Sequence, residues 1–193
     1  MTAVFDAWRS GAVAWDVSCA SAGSLQGIAQ RQKTRLATLL EVAGRGSRLV
    51  RTMLQGRGAA DVTLADLPVT HKRDLMRRFD DWVCDPALRL PGLLAFTADP
   101  ERIAQPYLGR YQVWESSGTS GEPAVFVQDA AAMAVYDALE SLRRGVAPSP
   151  QAWLNPLQLG QRIAFVGATS GHFASVVSIQ RLRRLNPWLA DSL

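Results

Sequence analysis

The sequence predicts an α/β chain. Two observations carry that reading. Helical apolar periodicity alternates with short apolar or aromatic runs of strand character. Gly and Pro clusters fall between those stretches, where turns belong. A third observation sets the scale: 193 residues, 48% hydrophobic and 20% charged, are enough to bury a real core and too apolar for wholesale disorder.

Taken in order, residues 1–23 read as a poorly defined N-terminal segment of small, mixed residues. "AVAWDVSCASAG" has an export-signal look, but Asp6 and Asp16 bracket its apolar part and Arg9 interrupts the lead-in, so it is not read as a signal. From residue 24 to residue 193 the chain reads as one structured region. Leu25, Ile28, Ala29, Leu36, Leu39, Leu40 and Ala43 recur at helical steps, with Ser24 as N-cap and Gly44 and Gly46 as the stop. A second short helix is expected over residues 47–55. Gly56, Gly58 and "AADVT" read as a loop. Pro68 disfavours helix at Leu67, and a helix is expected to follow, capped by Thr70 and using Leu75, Met76 and Phe79 as its apolar face. Its basic residues, His71, Lys72, Arg73, Arg77 and Arg78, read as a solvated face.

Four prolines between Pro86 and Pro106 predict mainly connection. "YLGRYQVWE" and "PAVFVQD" then read as strands. Asp129 caps a strong helix ending at Arg143, Arg144 and Gly145, basic residues that suit a helix C-terminus. Residues 163–166 read as a short buried parallel strand, and a final helix is expected over residues 173–185.

Charge and cysteine usage exclude several classes. Lys plus Arg is 21 and Asp plus Glu is 17, a net +4 that is too small and dispersed to predict nucleic acid as a partner. "RLRRL" at residues 181–185 is one of two basic clusters. Cys19 and Cys84 stand far apart, so neither a zinc spacing nor a redox CxxC exists. A reduced, cytoplasmic setting is expected, with no membrane span and no dedicated metal-ligand set.

The chemically pointed stretch is "SSGTSGEP", residues 116–123, between the two strands. Glycines let backbone N–H groups converge on an anion, and Ser and Thr add hydroxyl donors. Composition alone leaves a connecting turn and a phosphate cradle both open. A Walker A loop is excluded because no Lys follows Gly121, and the glycine spacing is not that of a dinucleotide fingerprint. His172 and Gly171, in "TSGHF", are candidate substrate-pocket residues at a loop-to-helix turn, and "GATSG" is a candidate second anion site. Trp114 reads as core. Ser116 and Ser117 are not read as nucleophiles, since neither a nucleophile elbow nor a paired histidine is visible.

"SSGTSGEP" resembles the phosphate-binding signature of the adenylate-forming superfamily. "LPVTHKRDLMRRFDDW" and "FVGATSGHFAS" resemble its phenylacetate–coenzyme A ligase branch. The resemblance covers residues 24–193. It implies the N-terminal part of such an enzyme's large domain, with its C-terminal half and small C-terminal domain absent. It implies ATP with magnesium as cofactor, a small carboxylic acid activated as an acyl-adenylate, and coenzyme A as a candidate acceptor. Ser116, Ser117, Gly118, Thr119, Ser120 and Gly121 would hold the β- and γ-phosphates, with Thr119 and Ser120 as hydroxyl donors. Ser120 stands where the signature carries Thr and keeps the hydroxyl. Glu122 suits a triphosphate neighbour only if turned to solvent. After Val166 only Asp191 supplies a carboxylate, and no Lys follows Lys72. The expectation is therefore a ligase-like chain that retains the loop and does not turn over alone, with its catalytic residues unknown. The alternative is a non-catalytic interaction or nucleotide-binding module, associating with itself or with a complementing chain.

Overall fold

The computed structural model describes residues 4–116, 123–143, 167, 170–185 and 187. These residues are mostly helical and carry one two-stranded sheet. The helices are α1 (Ala7–Ser21), α2 (Leu25–Gly46), α3 (Arg48–Leu54), α4 (Lys72–Arg77), α5 (Phe79–Trp82), α6 (Leu90–Thr97), α7 (Ala130–Arg143) and α8 (Ala174–Leu185). Strands β1 (Gln112–Glu115) and β2 (Val125–Gln128) pair antiparallel, from Gln112 opposite Gln128 to Glu115 opposite Val125. The expected parallel strand at 163–166 lies outside the described residues.

Local chemistry explains most boundaries. The Ser24 hydroxyl accepts from the Gly27 N–H and starts α2. Asp129 does the same for α7, accepting from the Ala132 N–H at 2.8 Å. Ser47 is fully buried and does two jobs. It caps α3 through the Val50 N–H and donates to the Asp81 carbonyl at 2.9 Å, joining α3 to α5. Gly46, just before it, allows a close approach: a Cβ there would lie 2.6 Å from the Cβ of Cys84.

Three expectations are corrected. Residues 1–23 are not a poorly defined segment throughout. Asp6 accepts from the Arg9 N–H to open α1, and α1, with Val17 buried, packs along α7. The proline-rich stretch is not mainly connection, because Pro91 sits in the first turn of α6, where a missing N–H costs nothing. His71, not Thr70, occupies the cap of α4, and its side chain makes no capping bond.

The hairpin divides the core. Val113 and Val125 face Phe79, Leu88, Leu93 and Phe96 on one side. Trp114 faces Met133, Val177, Ala104 and Val4 on the other. A smaller cluster of Leu40, Leu54 and Val62 lies under α2 and α3.

The cluster at residues 181–185 belongs to this framework. Arg181 is 5% exposed and donates to both carboxylate oxygens of Asp137 on α7, each at 2.8 Å, and to the Val4 carbonyl. Arg184 donates to the carbonyls of Ile103 and Ala104. Ala104 adopts φ 57°, a left-handed conformation that costs a non-glycine residue about 1 kcal/mol, and Arg184 holds that turn in place. Arg181 is a buried clamp, and the exposed Arg184 is tied back onto the turn at Ile103 and Ala104.

Candidate functional site

The root of the Gly/Ser-rich segment is set by the hairpin register. One step beyond the Glu115–Val125 pair, the Ser116 N–H donates to the Ala124 carbonyl at 2.9 Å. The Ala124 N–H answers by donating to Ser116 Oγ, also at 2.9 Å. A side-chain oxygen therefore stands where an antiparallel ladder would use a carbonyl. Ser116 anchors the segment. Ser117, Gly118, Thr119, Ser120 and Gly121 lie outside the described residues, as does Glu122.

Beside that root is an open cleft of about 490 Å³, bordered by Trp114, Glu115, Ser116, Phe126, Phe173, Ala174 and Ser175. Period-two alternation explains the strand contribution: Trp114, Ser116 and Phe126 share one face of the hairpin. The other wall is the start of α8. It is docked onto β1 by a parallel bridge between Glu115 and Phe173, with the Glu115 N–H donating to the His172 carbonyl at 2.7 Å. The first N–H groups of a helix have no intrahelical acceptor, so this wall presents donors. Glu115 borders the cleft, but its carboxylate accepts from the Thr97 hydroxyl on α6. The described lining contains no Lys or Arg. Its side-chain hydroxyls are those of Ser116 and Ser175.

Gly171 and His172 form the turn that leads into α8. Gly171 has φ +77°, and a Cβ there would meet the Phe173 ring at 3.3 Å, so the turn requires glycine. His172 is 1% exposed, with its ring 5.5 Å from that of Phe96, and neither ring nitrogen has a hydrogen-bond partner. It is not among the residues that border this cleft. The Gln112 side chain is equally buried and unpartnered. Trp114 is core, 5.7 Å from the Tyr136 ring, and also borders the cleft. Residues 168 and 169 of "GATSG" lie outside the described residues.

Arg78 pairs with Asp81 at 3.8 Å. Both cysteines are free and exposed, and partial burial pushes the Cys84 thiol up from its ordinary value. Among the described residues no cluster of three or more His, Cys, Asp or Glu could hold a metal, and no helix is long and apolar enough to cross a membrane. Sequence reasoning missed the double use of Ser116; the only signal was its position immediately after a strand. It also missed the burial of His172, for which the sequence carries no signal. No protein-family model, no curated protein and no solved structure matches the chain.

Proposed function

We propose that residues 116–121 grip the β- and γ-phosphates of ATP, in a chain of the adenylate-forming, phenylacetate–coenzyme A ligase-like kind. The chain by itself binds nucleotide without turning it over. The observation that supports this is the juxtaposition at Ser116. A Gly/Ser/Thr-rich segment is rooted at the end of a hairpin, beside an open cleft whose far wall is the first turn of α8. Donors there are hydroxyls and backbone N–H groups, the kind that receive phosphate oxygens. Magnesium fits such a site when the phosphates themselves supply most of its ligands. Glu115 borders the cleft with its carboxylate turned to the Thr97 hydroxyl on the opposite face of the hairpin, so the described rim supplies no free carboxylate and magnesium would rest on phosphate oxygens and water.

When ATP is bound, the departing pyrophosphate is the group whose charge these donors would stabilise. Positioning chemistry needs its full set of groups. The described lining offers hydroxyl and N–H donors and neither Lys nor Arg, so binding is the step it supports. The carboxylic acid and coenzyme A follow from the same resemblance and stand or fall with it; the cytoplasmic setting is proposed on the two free cysteines instead.

A thermal-shift titration tests the binding half. ATP or pyrophosphate at a hundredfold excess over Kd should raise the midpoint by about 5–10 °C, and Thr119→Ala should remove the shift. Absence of any shift refutes phosphate gripping. Pyrophosphate release from ATP, magnesium and a panel of aryl and fatty acids tests the other half, and robust turnover refutes it. A second reading, an interaction module, is favoured by one observation: α1 leaves Trp8 92% exposed and Trp15 72% exposed.

A further inference from the structure

We infer that the outward face of α1 is the contact between two copies of this chain, paired antiparallel about a two-fold axis between Gly11 and Ala12. The face is unusual for a helix already docked on its own fold. At 3.6 residues per turn, Trp8, Gly11, Ala12, Trp15 and Cys19 fall in a sector about 100° wide. That sector contains no charged residue, and Phe5, 48% exposed, lies at its N-terminal end. Diametrically opposite is Val17, the buried residue of the helix. Helices ordinarily turn their large apolar residues inward. Here the inward side carries Val17, buried, and Val13, half-buried, among alanines and serines, while two tryptophans face out.

Gly11 supplies an independent observation. It is interior to a 15-residue helix, where glycine destabilises relative to alanine. A Cβ at this position would meet nothing within 4 Å. The fold of one copy therefore gives no reason for a glycine. The close approach of a second helix does.

The stripe is self-complementary, as an isologous contact requires. About the stated axis the Trp8 of one copy opposes the partner's Trp15, twice over, and Gly11 opposes the partner's Ala12. Aromatic pairs thus flank a small-residue crossing. Four tryptophans at about 150–250 Å² each contribute roughly 600–1,000 Å². Phe5, Ala12 and Cys19 of both copies bring the total near the lower edge of specific interfaces, about 1,200 Å². A weak dimer in the micromolar range is expected. A lipid surface fits less well. Interfacial helices carry a Lys- and Arg-rich polar face, whereas the charges on and beside α1 are Asp6, Arg9 and Asp16. Asp16 is already paired with Arg31 and Arg35.

Sedimentation velocity of the full chain from about 1 to 200 µM, a range spanning the affinity of a small interface, tests this. A concentration-dependent monomer–dimer equilibrium is expected. Trp8→Ser with Trp15→Ser should weaken it at least tenfold without unfolding the chain, since both side chains are exposed. Gly11→Leu should also abolish the dimer, while leaving the thermal midpoint of the dilute monomer unchanged or raised. The inference is overturned by a monomer at every concentration, by a dimer that survives either variant, or by a chain that stays monomeric yet sediments with anionic phosphatidylserine vesicles. It holds whether or not the segment at Ser116 takes phosphate.

Discussion

Arg181 offers the sharpest test of what holds the described chain together. Its guanidinium reaches two elements at once: Asp137 on α7 at 2.8 Å to each oxygen, and the Val4 carbonyl at 3.0 and 3.3 Å. Replacing it with Met keeps much of the volume and removes every donor. Deleting one partner of a buried ion pair costs about 3–5 kcal/mol when the other charge is stranded. Asp137 is 36% exposed, so water rehydrates it and the lower end applies. The Val4 carbonyl belongs to a residue only 6% exposed, and an unsatisfied buried acceptor costs about 1–3 kcal/mol. The two effects overlap, because one side chain serves both, and about 3 kcal/mol in total is expected for Arg181→Met. With an m-value of about 2 kcal/mol per molar urea, the unfolding midpoint should fall by about 1–1.5 M. Arg181→Lys should recover little, because an ammonium cannot serve the carboxylate bidentately and reach Val4 together. Combining Arg181→Met with Asp137→Leu should restore part of the loss by removing the stranded charge. A midpoint change below about 0.3 M for Arg181→Met would show that Arg181 is not the clamp between α8, α7 and the N-terminal segment.

Gly46→Ala should destabilise by about 1–3 kcal/mol, because the new Cβ meets the Cβ of Cys84 at 2.6 Å and its Cα at 3.0 Å. Urea titration measures it, and Cys84→Gly in the same chain should recover part of the loss. Asp85 and Tyr111 make a pH prediction with two limbs. The Tyr111 hydroxyl foremost, then the Ala87 amide and Arg110, hold the Asp85 carboxyl below its ordinary 3.8. Its contribution to stability is present above that value and is lost as pH falls through the lowered one; Asp85→Asn should flatten the acid limb. Burial, then Asp85, pushes the Tyr111 hydroxyl up to about 12 from 10.0, so stability from that group is complete below 10.0 and is lost as pH rises toward 12. An ultraviolet tyrosinate titration should show this late step and lose it in Tyr111→Phe. Ser116→Ala should lower the ligand-free midpoint by about 1 kcal/mol of stability, through the lost bond to the Ala124 N–H. Thr119→Ala should leave that midpoint unchanged and alter only the response to ATP.

Helices with ordinary polarity were legible before the structure. Ser24 and Asp129 announce α2 and α7 because a short polar side chain before an apolar repeat can satisfy the first free N–H groups. The two strands were legible from Trp114, Val125 and Val127 beside turn residues. Helix α1 was not, because pattern reading assumes that large apolar residues point inward, and Trp8 and Trp15 do not. Helix α6 was hidden by Pro91, which breaks a helix interior but suits its first turn. Arg181 was hidden by the opposite prior, that arginine belongs at the surface. Its burial depends on Asp137, whose pairing nothing in the local sequence announces. The composition of the candidate segment was plain from "SSGTSG". The cleft beside it was not, because it depends on Phe173 bridging to Glu115, a contact between distant parts of the chain.

Ser116 links the architecture to the proposed grip on phosphate. A hydroxyl carries one donor hydrogen and two acceptor lone pairs. In the hairpin the oxygen accepts from the Ala124 N–H, so one lone pair is committed to the fold. The hydrogen is the part a phosphate needs, since phosphate oxygens only accept. Accepting one hydrogen bond also polarises the O–H toward donating a second. The commitment to Ala124 therefore strengthens rather than blocks the donor role, and it fixes where the donor sits. Two hydrogen bonds of 2.9 Å between Ser116 and Ala124 fix the spacing of these two residues before any ligand arrives. A root already ordered loses less conformational entropy on binding, which is the physical reason to place a phosphate-gripping segment at the end of a hairpin rather than between two untethered elements.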